Sequence, residues 1–587
     1  MTHDLNSLSA RDAKAVVHGL TDLSLHARRG ASVIESGHGV WVRDVQGREY
    51  IEAMSGLWCI ALGYGNERLA DVAQRQMKQL AYYPLTNHKS HPPVIALAEK
   101  LLSIAPVPMS RIWFASTGSE ANDCAARLSW YYWNAMDQPQ KRKFISHRLA
   151  YHGNTIASAS LSGVAYAHDR FNLPLPGFMH VTTPHYTRHA LPGESQEAFS
   201  QRLLADIEQL IEREGAHTIA AFFVEPVMGA GGIVVPPQRY YEGLQALLEA
   251  HQILLVCDEV VTAFGRTGEM FGSTTMRLRP DLLVCAKALS SAYIPISALM
   301  IGPKVYEAIE RQSGELGLFG LTMTYSGHPV ASAVALETLK IYEEERIVEH
   351  VRGVSPAFLN GLHALAAHPQ VKEVRGIGLL AGVELKPGQG KACAQMAEEE
   401  GLIVRAIGDT IEDLGWLCVK SWRFGAVDRP AGGFGAREVV VRVNGLSGPW
   451  GRDDLAAAVV RQPDDRHLLD VVAVAVQLLE LVGIDVLARG AEDHLLLAPD
   501  DEQVAVGVEA STHPDRVVCH RAATGRQVPV PHEGTVRGHV RRRHFYEIPD
   551  ADVEVLNRMG VAKLFPPGTS MGEIASYIEN WASENRN

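Results

Sequence analysis

Lys287 interrupts the run PDLLVCAKALSSAYIPIS, residues 280–297, in which most other side chains are apolar or small. Burying a lysine as an ammonium is costly. Two roles suit such a position. The stem can lie along apolar surface with its charge in water, or the amine can be kept neutral for use as a nucleophile. One strand earlier, LLVCDEVVTAFGRTG places Asp258 and Glu259 where another apolar run ends. A carboxylate there is either a surface loop acid or a buried one that needs a cationic partner or a shifted pKa. STGSEAND, residues 116–123, lies between the apolar RIWFA and the helical pattern CAARLSWYYW. Its Gly, Ser and Asn at a strand-to-helix turn can expose backbone N–H groups as an anion cradle. They also suit an ordinary helix start capped by Ser119. AYHGNT, residues 150–155, supplies Tyr151 and His152 in one loop, where a ring can stack on a flat ligand or simply pack.

An anion cradle, a stacking ring, a buried acid and a buried amine together meet the needs of one cofactor. Pyridoxal phosphate requires a phosphate site, a face for its ring, a carboxylate for its pyridinium nitrogen and a lysine for a Schiff base. The acid would keep the ring nitrogen protonated so that the ring can accept carbanion electrons. Apolar surroundings would disfavour the ammonium form of Lys287 when it is free.

The elements that must deliver these residues are legible as periodicity. Residues 34–62 alternate apolar and polar side chains between Gly/Asp turns, a pattern of short strands. From about 66 to 330, apolar runs such as RKFISH, TIAAFFVEPV and DLLVCAKALS alternate with helical patterns such as QRLLADIEQLIERE. That alternation implies a largely parallel sheet covered on both faces, with ligands at the carboxyl ends of its strands. Residues 331–345 form a helix, and 346–411 a small α+β unit ending in GLIVRAIGDTI.

The chain of 587 residues is too long for one core, and its 46% hydrophobic and 21% charged composition is globular. A net charge of −12 argues against broad nucleic-acid binding, and the basic knot RGHVRRRHF at 537–545 is a solvated face. Seven scattered cysteines without a C-x-x-C point to reduced thiols and a cytoplasmic setting. The N-terminus has no apolar signal region. The apolar window 468–487 is broken by Asp470, Gln477, Glu480 and Asp485, so a buried helix or strand pair is expected there instead of a membrane span.

The motifs MSGLWCIALGYGNERLADVA, TGSEAND, YHGNT, EPVMGAGG, DEVVTAFGRTG, AKALSSAYIPISA, TYSGHPVA and GLIVRAIGDT occur in this order over residues 20–411. In this the chain resembles the class III (ω-amino acid) aminotransferases of the fold-type I pyridoxal-phosphate enzymes. The resemblance implies an α/β fold: a large domain whose mostly parallel seven-stranded sheet lies between helices, and a small α+β domain. It assigns 1–65 to a segment contributing to the small domain, 66–330 to the large domain, 331–411 to the small domain and 412–587 to an atypical tail. Lys287 would carry the Schiff base and act as base and acid of a 1,3-proton shift. Asp258 would pair the pyridinium nitrogen, with Glu225 beside that network. Tyr151 would stack on the ring with His152 next to it, and Val260 would belong to the same cofactor site. Gly118 and Ser119 would hold the phosphate, helped by Thr324 from the other subunit of a homodimer. Trp58 and Tyr151 would shape the substrate pocket. Arg405 would pair an acceptor's carboxylate and swing out for apolar donors.

The implied reaction is ping-pong amino transfer from an ω-amino acid, amine or diamine to a keto acid, with pyruvate expected. A catalytically silent binding or scaffold protein and an aminomutase are the alternatives, raised because the family's usual ending after GDTI is missing. The tail instead holds REVVVRVNGLSGPWGRDDLAA, similar to part of citrate lyase β-like aldolases, and IPDADVEVLNRMGVAKLFPPGTSMGEIASYIENW, similar to the end of cobalamin-binding domains. Neither fragment carries its family's active-site residues, so neither activity and no metal are expected.

Overall fold

The computed structural model describes residues 7–237 and 239–412. The expectations for the tail beyond 412, including the apolar window, the basic knot and both fragment resemblances, lie outside the described residues.

Three strands open the chain's sheets: β1 (Ile34–His38), β2 (Trp41–Asp44) and β3 (Glu49–Glu52). The central sheet follows, from β4 (Arg111–Ala115), β5 (Lys143–His147), β6 (Phe178–Val181), β7 (Ile219–Val224), β8 (Leu254–Asp258), β9 (Leu282–Cys285) and β10 (Ser297–Ile301). Its strand order is β4-β10-β9-β8-β7-β5-β6. All neighbours pair in parallel except β10, which runs antiparallel to both β4 and β9. Every residue of β7 and β8 is buried, the reason these segments appear in the sequence as unbroken apolar runs.

The two faces of the sheet are packed by different helices, and the strand's period of two sorts residues between them. Ala221 and Phe223 of β7 join the core beneath the helix Gly118–Ala135. Phe222 and Val224 face the helices Gln196–Glu214 and Tyr240–Ala250.

The small strands β11 (Val371–Ile377), β12 (Leu380–Leu385), β13 (Leu402–Ile403), β14 (Arg405–Ile407) and β15 (Thr410–Glu412) complete the described chain. Four of them form the sheet β11-β12-β15-β14, whereas β13 leaves that group and adds in parallel to β3. This pairing ties residues near position 50 to residues near 400. The Arg48 guanidinium, for example, donates to the carbonyl of Glu398, 350 positions away, at 2.8 Å.

Because β10 is reversed relative to both its neighbours, β4 points the same way as β5, β7, β8 and β9. The carboxyl ends of these five strands therefore share one edge of the sheet. The loop after β5 is held there by a two-bond clasp: Leu149 N–H donates to Gly163 O at 2.9 Å, and Gly163 N–H donates to Ala150 O at 2.8 Å. A Cβ on Gly163 would lie 2.2 Å from the carbonyl oxygen of His147. Gly163→Ala should therefore destabilise the protein by about 2 kcal/mol or more, since backbone must move to make room. Denaturant unfolding of the variant against the parent checks this; a change under about 0.5 kcal/mol, the ordinary range for a surface substitution, contradicts it.

Candidate functional site

Asp258 is the last residue of β8 and is 3% exposed. Its Oδ2 accepts from Asn122 Nδ2 at 2.7 Å and pairs with His152 Nδ1 at 2.9 Å, while Oδ1 accepts from Val260 N at 3.0 Å. Glu259 is wholly buried as well, but faces away into its own ring of donors: Gly272 N at 2.8 Å, with Ser273 N and Thr262 Oγ1 each at 2.5 Å. Neither residue is a surface acid.

The helix Gly118–Ala135 begins at the end of β4. Its N-cap is Thr117 in a reciprocal capping box with Glu120, not Ser119. Thr117 satisfies the amides of Glu120 and Ala121. Those of Gly118 and Ser119 remain, among the described residues, as the orphan donors that a first helical turn presents to an anion. Ser119 Oγ instead receives Asn154 N–H at 3.0 Å, joining the helix start to the loop of Tyr151 and His152. The approach is close: a Cβ on Gly153 would lie 2.4 Å from Ser119 Oγ, and one on Gly118 2.9 Å from Val260 Cγ2.

Glu225 follows β7, with Oε1 accepting from Tyr151 N and Oε2 from Gly229 N, each at 3.0 Å. Burial pushes its carboxyl up to about 7, opposed by the nearby His152 and reinforced by the charge of Asp258. The Tyr151 phenol is also raised by burial, with Arg405 opposing and Asp258 adding, which places that hydroxyl within electrostatic reach of both.

Lys287 begins a short 3-10 turn after β9, with φ of 48°. A left-handed backbone is unusual for a residue with a Cβ and clusters at functional sites. Its Nζ lies 4.6 Å from the centroid of the Trp58 ring, and the Arg405 guanidinium carbon lies 5.4 Å from the same ring. Trp58 is 4% exposed, and its Nε1 is buried without a hydrogen-bond partner among the described residues. It sits at the end of a left-handed turn in which Ser55, Gly56, Leu57 and Trp58 have φ of 50°, 56°, 66° and 62°. Each non-glycine residue there costs about 1–2 kcal/mol.

The fold thus brings Lys287, Asp258, Tyr151, His152, Gly118, Ser119, Val260, Glu225, Trp58 and Arg405 to one edge of the sheet. Thr324 is exposed on a turn, where its carbonyl accepts from Tyr82 Oη at 2.6 Å. Asn122, expected only as part of the anion cradle, instead supplies Asp258 with a donor and also donates to His152 O at 2.8 Å. Its position one helical turn past Gly118, facing the sheet, was the available signal.

These residues suit pyridoxal phosphate. There is a carboxylate fixed on one side, a pair of first-turn amides for a phosphate, an amine at a neighbouring strand end and buried polar atoms, Asn122 Oδ1, His152 Nε2 and Trp58 Nε1, still short of partners among the described residues.

The family model described as aminotransferase class-III matches residues 26–422. Gamma-aminobutyrate transaminase 1, mitochondrial, of Oryza sativa subsp. indica is 46% identical over 392 residues, which is 65% of this chain and 76% of that protein. The mitochondrial gamma aminobutyrate transaminase 1 of Solanum lycopersicum is 45% identical over the same length, again 65% of this chain and 76% of that protein. The omega transaminase from Pseudomonas jessenii in complex with PMP superposes with a TM-score of 0.70 at 48% identity, covering 70% of this chain and 94% of that one.

Buried ionisable groups give a pH signature. Burial raises the carboxyls of Glu52 and Glu225 from 4.5 to about 7 and lowers the imidazoles of His147 and His185 from 6.5 to about 3. The carboxyls' contribution to stability is full below pH 4.5 and is lost as pH rises to about 7. The imidazoles' contribution is present above pH 6.5 and is lost as pH falls toward 3. The two pairs oppose one another between pH 4.5 and 6.5, so their summed slope there should be close to zero. Below that window each imidazole removes about 1.4 kcal/mol per pH unit. Other buried groups add slopes of their own, so the test is the difference in denaturant unfolding between a variant and the parent apo-protein across this range. Glu225→Gln should leave a residual slope, with stability rising with pH; an unchanged profile contradicts the assignment. Separately, Asn122→Ala should cost about 2 kcal/mol in the same assay, because it strips a buried carboxylate of a donor.

Proposed function

The chain belongs to the class III aminotransferases, pyridoxal-phosphate-dependent transferases, and on that premise we propose that it moves the amino group of an ω-amino acid, amine or diamine to pyruvate. The observation that carries this reading is the convergence of an amine, a carboxylate and a guanidinium, from Lys287, Asp258 and Arg405, around the rings of Tyr151 and Trp58. The names of the relatives, gamma-aminobutyrate transaminases and an omega transaminase, support donors whose amine is distant from any carboxylate.

When bound, pyridoxal phosphate supplies an electron-accepting ring that carries the amino group between donor and acceptor. Gly118 and Ser119 hold its phosphate through first-turn amides, with Thr324 of a second subunit completing the cradle. Tyr151 would cover the ring, and Val260 would belong to the same cofactor site. Asp258, held by Asn122 and His152, keeps the ring nitrogen protonated. Glu225 fixes the Tyr151 backbone and so the stacking face. Lys287 Nζ takes the proton from the amine-bearing carbon of the donor and returns it on the other side of the exchange. Arg405 pairs the carboxylate of the acceptor, where a guanidinium makes two parallel hydrogen bonds. Trp58 forms a wall of the donor pocket. With all of these groups present, the site gives no support to a catalytically silent scaffold.

We place the site at the interface of a homodimer, as the exposure of Thr324 on its turn suggests. The pairing of β13 with β3 supports grouping residues 1–65 with 331–411 as a small domain beside the large domain 66–330. Free cysteines at positions 59, 124, 257, 285 and 393 support a reducing compartment such as the cytoplasm. Among the described residues no helix is long and apolar enough to cross a membrane.

A panel of γ-aminobutyrate, β-alanine, butylamine and putrescine, each with pyruvate or 2-oxoglutarate, tests the reading through formation of alanine or glutamate. Failure of every pair in cofactor-loaded protein overturns it. Lys287→Ala should lower the rate by about 10²–10⁴-fold, the usual worth of a general acid–base. The variant should also abolish covalent fixation of the cofactor by borohydride, read by peptide mass. Fixation that survives at another lysine contradicts the role of Lys287.

A further inference from the structure

Glu52, at the end of β3, is 5% exposed and lies three residues before the left-handed turn that carries Trp58. Its Oε2 accepts from Gly56 N at 2.6 Å. The turn is closed from within by Trp58 N–H to Met54 O at 2.8 Å and Cys59 N–H to Ser55 O at 2.7 Å. A turn of this hand does not persist unless its surroundings over-determine it. The Glu52 carboxylate reaches into it. Burial raises the Glu52 carboxyl to about 7, and the backbone at Gly56 and Met54 and the side chain of Tyr64 partly offset this.

The same strand reaches the other cation of the site. Ala53 N–H donates to Ile403 O at 3.0 Å, and Glu52 is in register with Ile403, two residues before Arg405. The chain after the turn is tied to the segment after Lys287: Leu62 N–H donates to Ser291 Oγ at 2.9 Å, and Tyr293 Oη donates to Gly63 O at 3.0 Å. The indole is thus seated between two fixed flanks, on the turn that Glu52 caps.

We propose that Glu52 is a positioning residue: by capping the left-handed turn 55–58 it fixes the Trp58 indole, and so sets the size of amine that the site admits. This rests on the aminotransferase reading above and deepens it.

The test compares butylamine with benzylamine, pyruvate being the acceptor, in the full-length holoenzyme. Glu52→Ala should raise the benzylamine-to-butylamine ratio of kcat/KM about tenfold, the discrimination a small change in pocket shape carries. Most of the change should fall in KM. Glu52→Gln should restore the parent ratio, because its amide oxygen still accepts from Gly56 N–H. Gly56→Ala disturbs the same turn while keeping the Glu52 side chain in the sequence, since its Cβ would lie 3.0 Å from Ile60 Cγ1 and 3.3 Å from Tyr64 Oη, itself a partner of Glu52. It should shift the ratio in the same direction and stands in if Glu52→Ala does not fold. A readout independent of turnover is the fluorine resonance of 5-fluorotryptophan at position 58, assigned by its loss in Trp58→Phe. It should move in Glu52→Ala and return in Glu52→Gln. An unmoved resonance together with an unchanged ratio, or a Gln variant as altered as the Ala variant, overturns the proposal. Absence of turnover in every variant and the parent overturns the aminotransferase reading instead, and the resonance still decides the role of Glu52.

Discussion

A carboxylate that is 3% exposed must be held by donors arriving from several directions, and Asp258 draws its own from three separate parts of the chain. Asn122 comes from the helix after β4, His152 from the loop after β5 and Val260 from the backbone just beyond β8 itself. Satisfying one buried charge therefore fixes the relative positions of an anion-binding helix start, an aromatic loop and a strand end. The tight packing of Gly118 on Val260 and of Gly153 on Ser119 follows from that requirement. Any larger residue at either glycine would separate the donors from the acid they serve.

The second organising element is the indole of Trp58, against which two basic side chains lie. Lys287 and Arg405 approach the same ring from opposite parts of the sequence. An aromatic face attracts a cation without neutralising it. One ring thus seats an amine and a guanidinium close together. The cost is carried by the backbone, in left-handed residues at Ser55, Leu57, Trp58 and Lys287.

Much of this was legible in the residues. Lys287 and Asp258 each had an ordinary explanation alone and stood out only in combination with the cradle of STGSEAND and the ring of Tyr151, and the motif order from 20 to 411 carried the family resemblance. The central sheet followed from the alternation of apolar runs with helical patterns. Other features were illegible for physical reasons. Asn122 reads as one more cradle residue until the helix is built and its side chain is seen to face Asp258. The cap at Thr117 competes with Ser119 in any reading of spacing alone, and the choice is made by where Asn154 needs an acceptor. Glu52 belongs by pattern to an alternating strand; its reach into the next turn depends on backbone angles that no composition reveals. The departure of β13 from its sequence neighbours to join β3 is a long-range pairing of the kind that local periodicity does not encode.

That pairing has a consequence for how the molecule is made. While the ribosome is still extending the chain, β3 has an open edge, and the partner that closes it is among the last described residues to emerge. The turn bearing the indole is rooted in that unfinished edge. During synthesis the central sheet can form with its acid and its amine in place, but the shelf beneath the amine acquires its final support only after residue 403 has left the exit tunnel. Nascent chains therefore gain the guanidinium of Arg405 and the bracing of that wall at nearly the same moment, well after the acid and the amine.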